Sequence, residues 1–250
     1  MGVGTELRNR VYLSTLSTME GDPDFKAKIV QRVPRGTEGS ITRKNKNGVE
    51  VTELHHSFIE GLLTDIQLKE HEEYGLAWVF VLEDNDIEYW LQAPVGRMSM
   101  GILCRLRNMD FSKFIKISIF KFTKDDVDKT YLTPYQKLAV GYKQIDLYYS
   151  KDNPGDLPPM ELKKVKGKPT WDNSAQLDFF IKEVQTVILP KLREANPLSI
   201  ASLRASGESV QSNPLLSPKP DKDTAEENPF VAEEKKEEKD GKEEDDGLPF

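Results

Sequence analysis

The chain has 250 residues, with 35 Lys and Arg against 42 Asp and Glu for a formal net charge of −7, 37% hydrophobic residues and a single cysteine. Hydrophobic content this low for the length implies one medium domain plus segments that pack little. The lone Cys104 leaves no internal disulfide and fits a reducing cytoplasm, and apolar stretches such as LAWVFVL fall far short of the roughly 20 residues a membrane span needs.

The N-terminal MGVGTELRNR lacks the apolar centre of a signal peptide, and Glu6 stands where a myristoylation signal needs Ser or Thr. Residues 1–48 read as a basic extension. FKAKIVQRV predicts a strand, and ITRKNKNGVEV a hairpin turning at Asn47-Gly48. Across 26–46, Lys26, Lys28, Arg32, Arg35, Arg43, Lys44 and Lys46 face the single acid Glu38, a pattern suited to clamping phosphates.

From 49 to 150 the apolar period is mostly two, which predicts strands with one buried face. In LHHSFIEGLLTDIQL the even positions Leu54, His56, Phe58, Leu62, Ile66 and Leu68 carry the apolar side of one long strand, which Gly61 can bend. YGLAWVFVL and IEYWLQA follow, separated by the turn-prone Asp84, Asn85 and Asp86, with Trp78 expected in the core. RMSMGILCRLRNMD changes to helical spacing through Met98, Ile102, Leu106 and Met109, which leaves Cys104 a buried, inert thiol. FIKISIFKF and KLAVGYKQIDLYYS then return to alternation. Three strands, a helix and two strands, with a glycine-bent first strand, predict a mainly β fold built on an OB-type five-stranded barrel.

Residues 151–196 combine Pro-, Gly- and Lys-rich linkers with an amphipathic helix in SAQLDFFIKEVQTVILPKLRE. Its stripe is Leu177, Phe180, Ile181, Val184 and Ile188, and Pro190 marks the expected end. From 197 to 250 Ser, Pro, Lys and Glu prevail, a composition that predicts disorder. Residues 219–250 hold 13 acidic and 6 basic residues, a net of −7, so the remainder of the chain is neutral.

Signatures of catalysis do not stand out. His55, His56 and His71 form no HExxH motif, one cysteine excludes a cysteine-rich zinc site, and RGTEGSITRKNKNG lacks phosphate-loop spacing. Carboxylates such as Glu53, Glu60, Asp65 and Glu72 suit the wet faces of strands, so no enzyme, cofactor or metal is expected. The strands place aromatics among polar groups instead. Trp90 falls with Glu88 and Gln92; Phe114, Lys116, Phe120 and Phe122 lie opposite Ile115, Ile117 and Ile119; Tyr142 and Tyr148 share a side with Gln144 and Asp146. Arg97, Arg105 and Arg107 add cations near the helix, and Lys163, Lys164, Lys166 and Lys168 lead to Trp171. Exposed rings beside cations suit unpaired bases, because every base has a π-face.

The last residues, EEDDGLPF, resemble the acidic tip of bacterial single-stranded DNA-binding proteins. Asp245, Asp246, Leu248, Pro249 and Phe250 match that tip, with Gly247 in a variable place. The resemblance implies a peptide that docks replication, recombination and repair proteins, in a bacterial or phage-infected cell. The longer body is more similar to the bacteriophage members of that group. EENPF at Glu226–Phe230 is a second partial copy. Together these features lead to the expectation of a protein that coats single-stranded DNA, with a strand-annealing recombination mediator or a scaffold that does not bind DNA as alternatives and a nuclease behind both.

Overall fold

The computed structural model describes residues 9–19, 22, 25–45, 47–71, 75–85, 87–124, 127–165 and 168–197. The tail from residue 198 with its docking tip, and Lys46, lie outside them. The strands are β1 (Asn9–Leu16), β2 (Lys28–Arg32), β3 (Ile41–Lys44), β4 (Glu50–His56), β5 (Phe58–His71), β6 (Gly75–Asp84), β7 (Ile87–Pro94), β8 (Ile115–Lys124), β9 (Val127–Lys137), β10 (Tyr142–Gln144), β11 (Glu161–Val165) and β12 (Lys168–Asp172). The helices are α1 (Arg97–Leu103), α2 (Ser174–Glu183) and α3 (Leu189–Ala195). None of them is long and apolar enough to cross a membrane.

Hydrogen bonds order the main sheet β10-β9-β8-β5-β6-β7-β1-β2-β4-β3, with β11-β12 a separate hairpin. Strand β5 is its pivot. Phe58 to Gly61 pair with β8, and Leu62 to His71 pair with β6. The change of partner falls at Gly61, where an added Cβ would lie 2.9 Å from the Glu83 carbonyl and 3.0 Å from Leu82 Cβ. Only glycine lets the two backbones approach so closely.

The expected single strand over 54–68 is in fact two, broken at Ser57. A β-bulge between Leu63 and Asp65 then inserts Thr64 and reverses the alternation. Before it the odd positions Ile59 and Leu63 are buried; after it the even position Ile66 is. The even-position reading therefore holds only beyond the bulge, and Phe58 is half exposed rather than apolar-side.

The chain is mainly β, and the sheet is open. Among the described residues no ladder joins β7 to β9, the contact that would close a five-stranded barrel; β7 pairs instead with β1 in parallel. β9 is a strand absent from the sequence reading, where Pro134 interrupts the pattern. The Pro134 carbonyl accepts the Ile145 N–H at 3.2 Å, away from β8. A strand residue's N–H and C=O point the same way, so the missing donor also faces away from the β8 ladder.

One core joins these parts. Ile115 and Ile117 of β8, Trp78, Phe80 and Leu82 of β6, and Leu91 of β7 meet Ile102 of α1 and Leu106 of the following turn. Leu13 and Ile29 of β1 and β2 contribute to the same core. The C-terminal helical run adds Phe180, Val184, Ile188 and Leu192, and the stripe of the sequence pattern is thereby realised. The run does not stop at Pro190. A π-turn over Val184–Ile188 lets α3 restart with Pro190 in its first turn, where a missing N–H costs little.

Helix α1 presses Gly101 onto β9 so closely that an added Cβ would collide with the Leu132 carbonyl. Gly101→Ala is expected to cost roughly 1 to 3 kcal/mol or more of stability, because backbone rather than a flexible side chain must move. A urea denaturation midpoint measures this, and an unchanged midpoint would count against the close packing of α1 on β9.

Candidate functional site

Alternation along β8 buries Ile115, Ile117 and Ile119 and turns Lys116, Phe120 and Phe122 outward, while Ser118 on that side is covered. On β9 the register sets Tyr131 opposite Phe120 and Tyr135 opposite Lys116. Phe122 stacks on Tyr131 with ring centroids 5.5 Å apart and planes 7° from parallel, and Phe120 lies tilted 6.3 Å from Tyr135. Phe120 and Phe122 nevertheless stay 46% and 47% exposed.

Because Gly101 admits α1 against β9, the helix forms a second wall beside this face. Between them runs a groove of about 550 Å³, with Phe120, Phe122, Tyr131 and Tyr135 along the sheet and Met100, Cys104 and Leu147 opposite. Burial pushes the Cys104 thiol up to about 11, so it stays protonated and unreactive at neutral pH.

Arg105 lines the groove and is held rigidly. Its Nε donates to the Ile145 carbonyl at 2.8 Å and its Nη1 to the Gly101 carbonyl at 2.6 Å. No carboxylate pairs with it among the described residues. Burial lowers its pKa from the usual arginine value, and Asp146, itself 3.9 Å from Lys143, offsets that only in part. A partly desolvated guanidinium with no carboxylate ion-paired to it suits an anion. Lys121 lines the same groove, and the charge of Arg97 is felt at Tyr131.

Toward β10 the face ends in a cluster of rings around one ammonium group. The Lys116 ammonium lies 4.6 Å from the centre of Tyr142, 5.1 Å from Tyr135 and 5.5 Å from Phe58. Burial and the neighbouring Glu60 carboxylate push the Tyr142 hydroxyl up to about 12, and Lys137 Nζ donates to Glu60 at 3.2 Å.

The fold thus brings together Phe120, Phe122, Tyr142, Lys116, Arg97 and Arg105. It separates others from them. Trp90 is 7% exposed and packs with Val79 and Val81. Its indole N–H donates to Glu88 at 3.2 Å, while Lys69 and Arg10 lie over its ring at 4.3 and 5.0 Å. That side of β7 is covered because β1 runs beside it and brings Arg10 and Tyr12, so Trp90 offers no face to a base.

Arg107 is also committed elsewhere. Its Nε and Nη2 donate to the two oxygens of the buried Glu183, the latter at 2.8 Å, and its Nη1 to the Tyr148 hydroxyl at 3.2 Å. Arg43 makes a bidentate pair with the buried Glu53 at 2.8 and 3.0 Å. These two are structural ion pairs rather than phosphate contacts. Arg32, Arg35 and Lys44 are carried by β2, β3 and the loop joining them, and Lys26 just precedes β2. Lys28 bonds Ser57 Oγ at 3.1 Å, next to β5. Lys163 pairs with Asp172 and Glu161, and the side chains of Lys164, Lys166, Lys168 and Trp171 lie outside the described residues.

Sequence reasoning missed Tyr131 and Tyr135, although Tyr131, Thr133 and Tyr135 alternate with Leu132 and Pro134. Among the described residues no cluster of His, Cys, Asp and Glu could hold a metal ion. The chain matches no known family, no curated protein and no solved structure. Its functional reading rests on this geometry and on the sequence.

Two variants test the reassigned residues. Trp90→Ala is expected to lose roughly 3 to 5 kcal/mol of folding stability, the range for a buried aromatic. Arg107→Ala is expected to lose roughly 1.5 to 3 kcal/mol, typical of hydrogen bonds to a charged group. Chemical denaturation checks both, and a wild-type midpoint in either variant contradicts its structural role.

Proposed function

We propose that this chain is a non-catalytic single-stranded DNA-binding protein whose contact surface is the groove between α1 and the outer face of β8 and β9. The observation that carries the reading is the pairing of two half-exposed phenylalanines with Arg105, a fixed cation with no carboxylate ion-paired to it among the described residues. Unpaired bases stack on Phe120 and Phe122, each ring contributing roughly 1 to 3 kcal/mol, and the phosphates meet Arg105 and Lys121. Duplex DNA keeps its bases stacked on one another and gains nothing from the rings.

An OB-type origin for β5 to β9 fits the same reading. β5 changes partner at a glycine and serves two ladders, and a helix separates the third strand from the fourth. The acidic tail ending in Leu248, Pro249 and Phe250 supplies the second half of the function, recruitment of replication and repair proteins. There Phe250 enters an apolar pocket on the partner while acidic residues steer the approach.

Fluorescence anisotropy with labelled oligonucleotides, single- and double-stranded, at two salt concentrations tests the groove. Single strands are expected to bind more tightly than duplex and less tightly as salt rises. Phe120→Ala and Phe122→Ala each weaken binding by roughly 1 to 3 kcal/mol without shifting the melting temperature. Preference for duplex, or wild-type affinity in both variants, rules the groove out. For the tail, deleting residues 243–250 removes recovery of replication proteins in a pull-down and leaves oligonucleotide binding in place; equal recovery with and without them refutes the docking role.

A further inference from the structure

One exposed ring on this face lies outside the groove. Phe58 opens β5 and is 50% exposed. It pairs with Ser118 in the β5–β8 ladder, two residues along β8 from Phe120. Diagonal neighbours of this kind stand about 7 to 8 Å apart on one face of a sheet. The bulge at Thr64 is what turns Phe58 to the outside, so its exposure follows from the register.

One cation lies over the ring and a second is held at the residue before it. Lys116 approaches it from β8, 5.5 Å from the centroid. One residue before the ring, Ser57 marks the seam where β4 runs into β5. Its hydroxyl accepts the Lys28 ammonium at 3.1 Å, and its carbonyl accepts the Ile119 N–H at 3.5 Å. Lys28 is thereby pinned where β2 approaches β5 and β8. The acid on this stretch of β5, Glu60, is engaged by Lys137 and Tyr142. An exposed ring under one ammonium group, with a second ammonium held at the adjacent Ser57 and Phe120 one diagonal step away, suits the next nucleotide of a strand already seated in the groove.

We infer that Phe58 and Lys28 form a second nucleotide seat, through which single-stranded DNA leaving Phe120 crosses from β8 to β5 and runs on toward the basic strand β2. The inference rests on the groove reading and sets the direction of the strand across the sheet. A base stacks on Phe58 and the adjoining phosphate meets Lys28.

The experiment compares labelled oligo-dT of about 4 and about 16 nucleotides, the two ends of the site sizes known for OB folds, against the full chain carrying Phe58→Ala, Phe58→Leu, Phe58→Tyr or Lys28→Gln, with Phe120→Ala as reference. Phe58→Ala is expected to weaken the long oligomer roughly 5- to 150-fold, the span of base stacking on one ring, and to leave the short one, which the groove alone accommodates, within about twofold. Phe58→Leu keeps the apolar cover without the ring and loses affinity in the same direction, while Phe58→Tyr retains it. Lys28→Gln lowers the salt slope for the long oligomer by about 0.7, the value of one single-strand phosphate contact. If Phe120→Ala weakens binding but Phe58→Ala binds the long oligomer as wild type does, or loses long and short alike, the second seat is wrong and the groove stands. If the wild-type chain binds neither oligomer, both readings fall.

Discussion

Strand β5 holds the molecule together because its two halves belong to different ladders. A strand passing from one partner to another must bend, and at the bend its backbone comes within contact distance of the strand it is joining. That is possible here because residue 61 carries no side chain: a methyl group would press on the Glu83 carbonyl. The outward turn of β8, and hence the aromatic face, depends on this crossing. Gly101 does for α1 what Gly61 does for β5. Of the two, Gly101 sets how close the α1 wall of the groove comes to β9.

The C-terminal helices are tied to the same region by polar contacts as well as by the core. Arg107 follows Arg105 by two residues, and it binds Glu183 and Tyr148 while Arg105 faces the groove. Tyr149 donates to the same Glu183 at 3.2 Å, and the Cys104 carbonyl accepts the N–H groups of Tyr148 and Tyr149. Asn196, just past α3, donates to the carbonyls of Leu63 and Phe111. The segment bearing Arg105 is therefore anchored on its far side by a helix nearly eighty residues downstream, and the position of the groove cation is a property of the whole domain.

Local patterns carried the local features. Ile115, Ile117 and Ile119 alternate without interruption, and β8 faces as that alternation dictates. The stripe from Leu177 to Ile188 is helical and packs on the core. Gly61 marks the change of ladder partner. What the sequence did not disclose depends on pairing between distant residues. Trp90 reads as wet from its own strand, but residues 9 to 13 pair alongside 87 to 91 and cover it. Arg107 reads as a free cation until Glu183, 76 positions away, is folded against it. Phe58 reads as apolar-side because one inserted residue, Thr64, reverses a period-two pattern, and nothing in composition marks a bulge. β9 was lost to Pro134, whose presence argues against a strand until the edge it faces is known. Of the ring-and-cation groups that came together, those on β8 were legible from alternation alone, while their β9 partners were not.

Arg105 differs from the cations usually found on nucleic-acid-binding surfaces, which sit on long, mobile stems. Two backbone carbonyls hold its guanidinium before any ligand arrives, so its rotamer is fixed during folding. A flexible side chain gives up about 0.5 to 1.5 kcal/mol on immobilisation at an interface, and this one has none left to lose. Its planar fork also points one way, so an anion must come to the arginine in a particular orientation rather than the arginine reaching out to the anion. Under the proposed function, a single strand held in this groove would therefore be aligned as well as retained, its phosphates set by a fixed point from which the bases fall in one direction, onto the rings of β8.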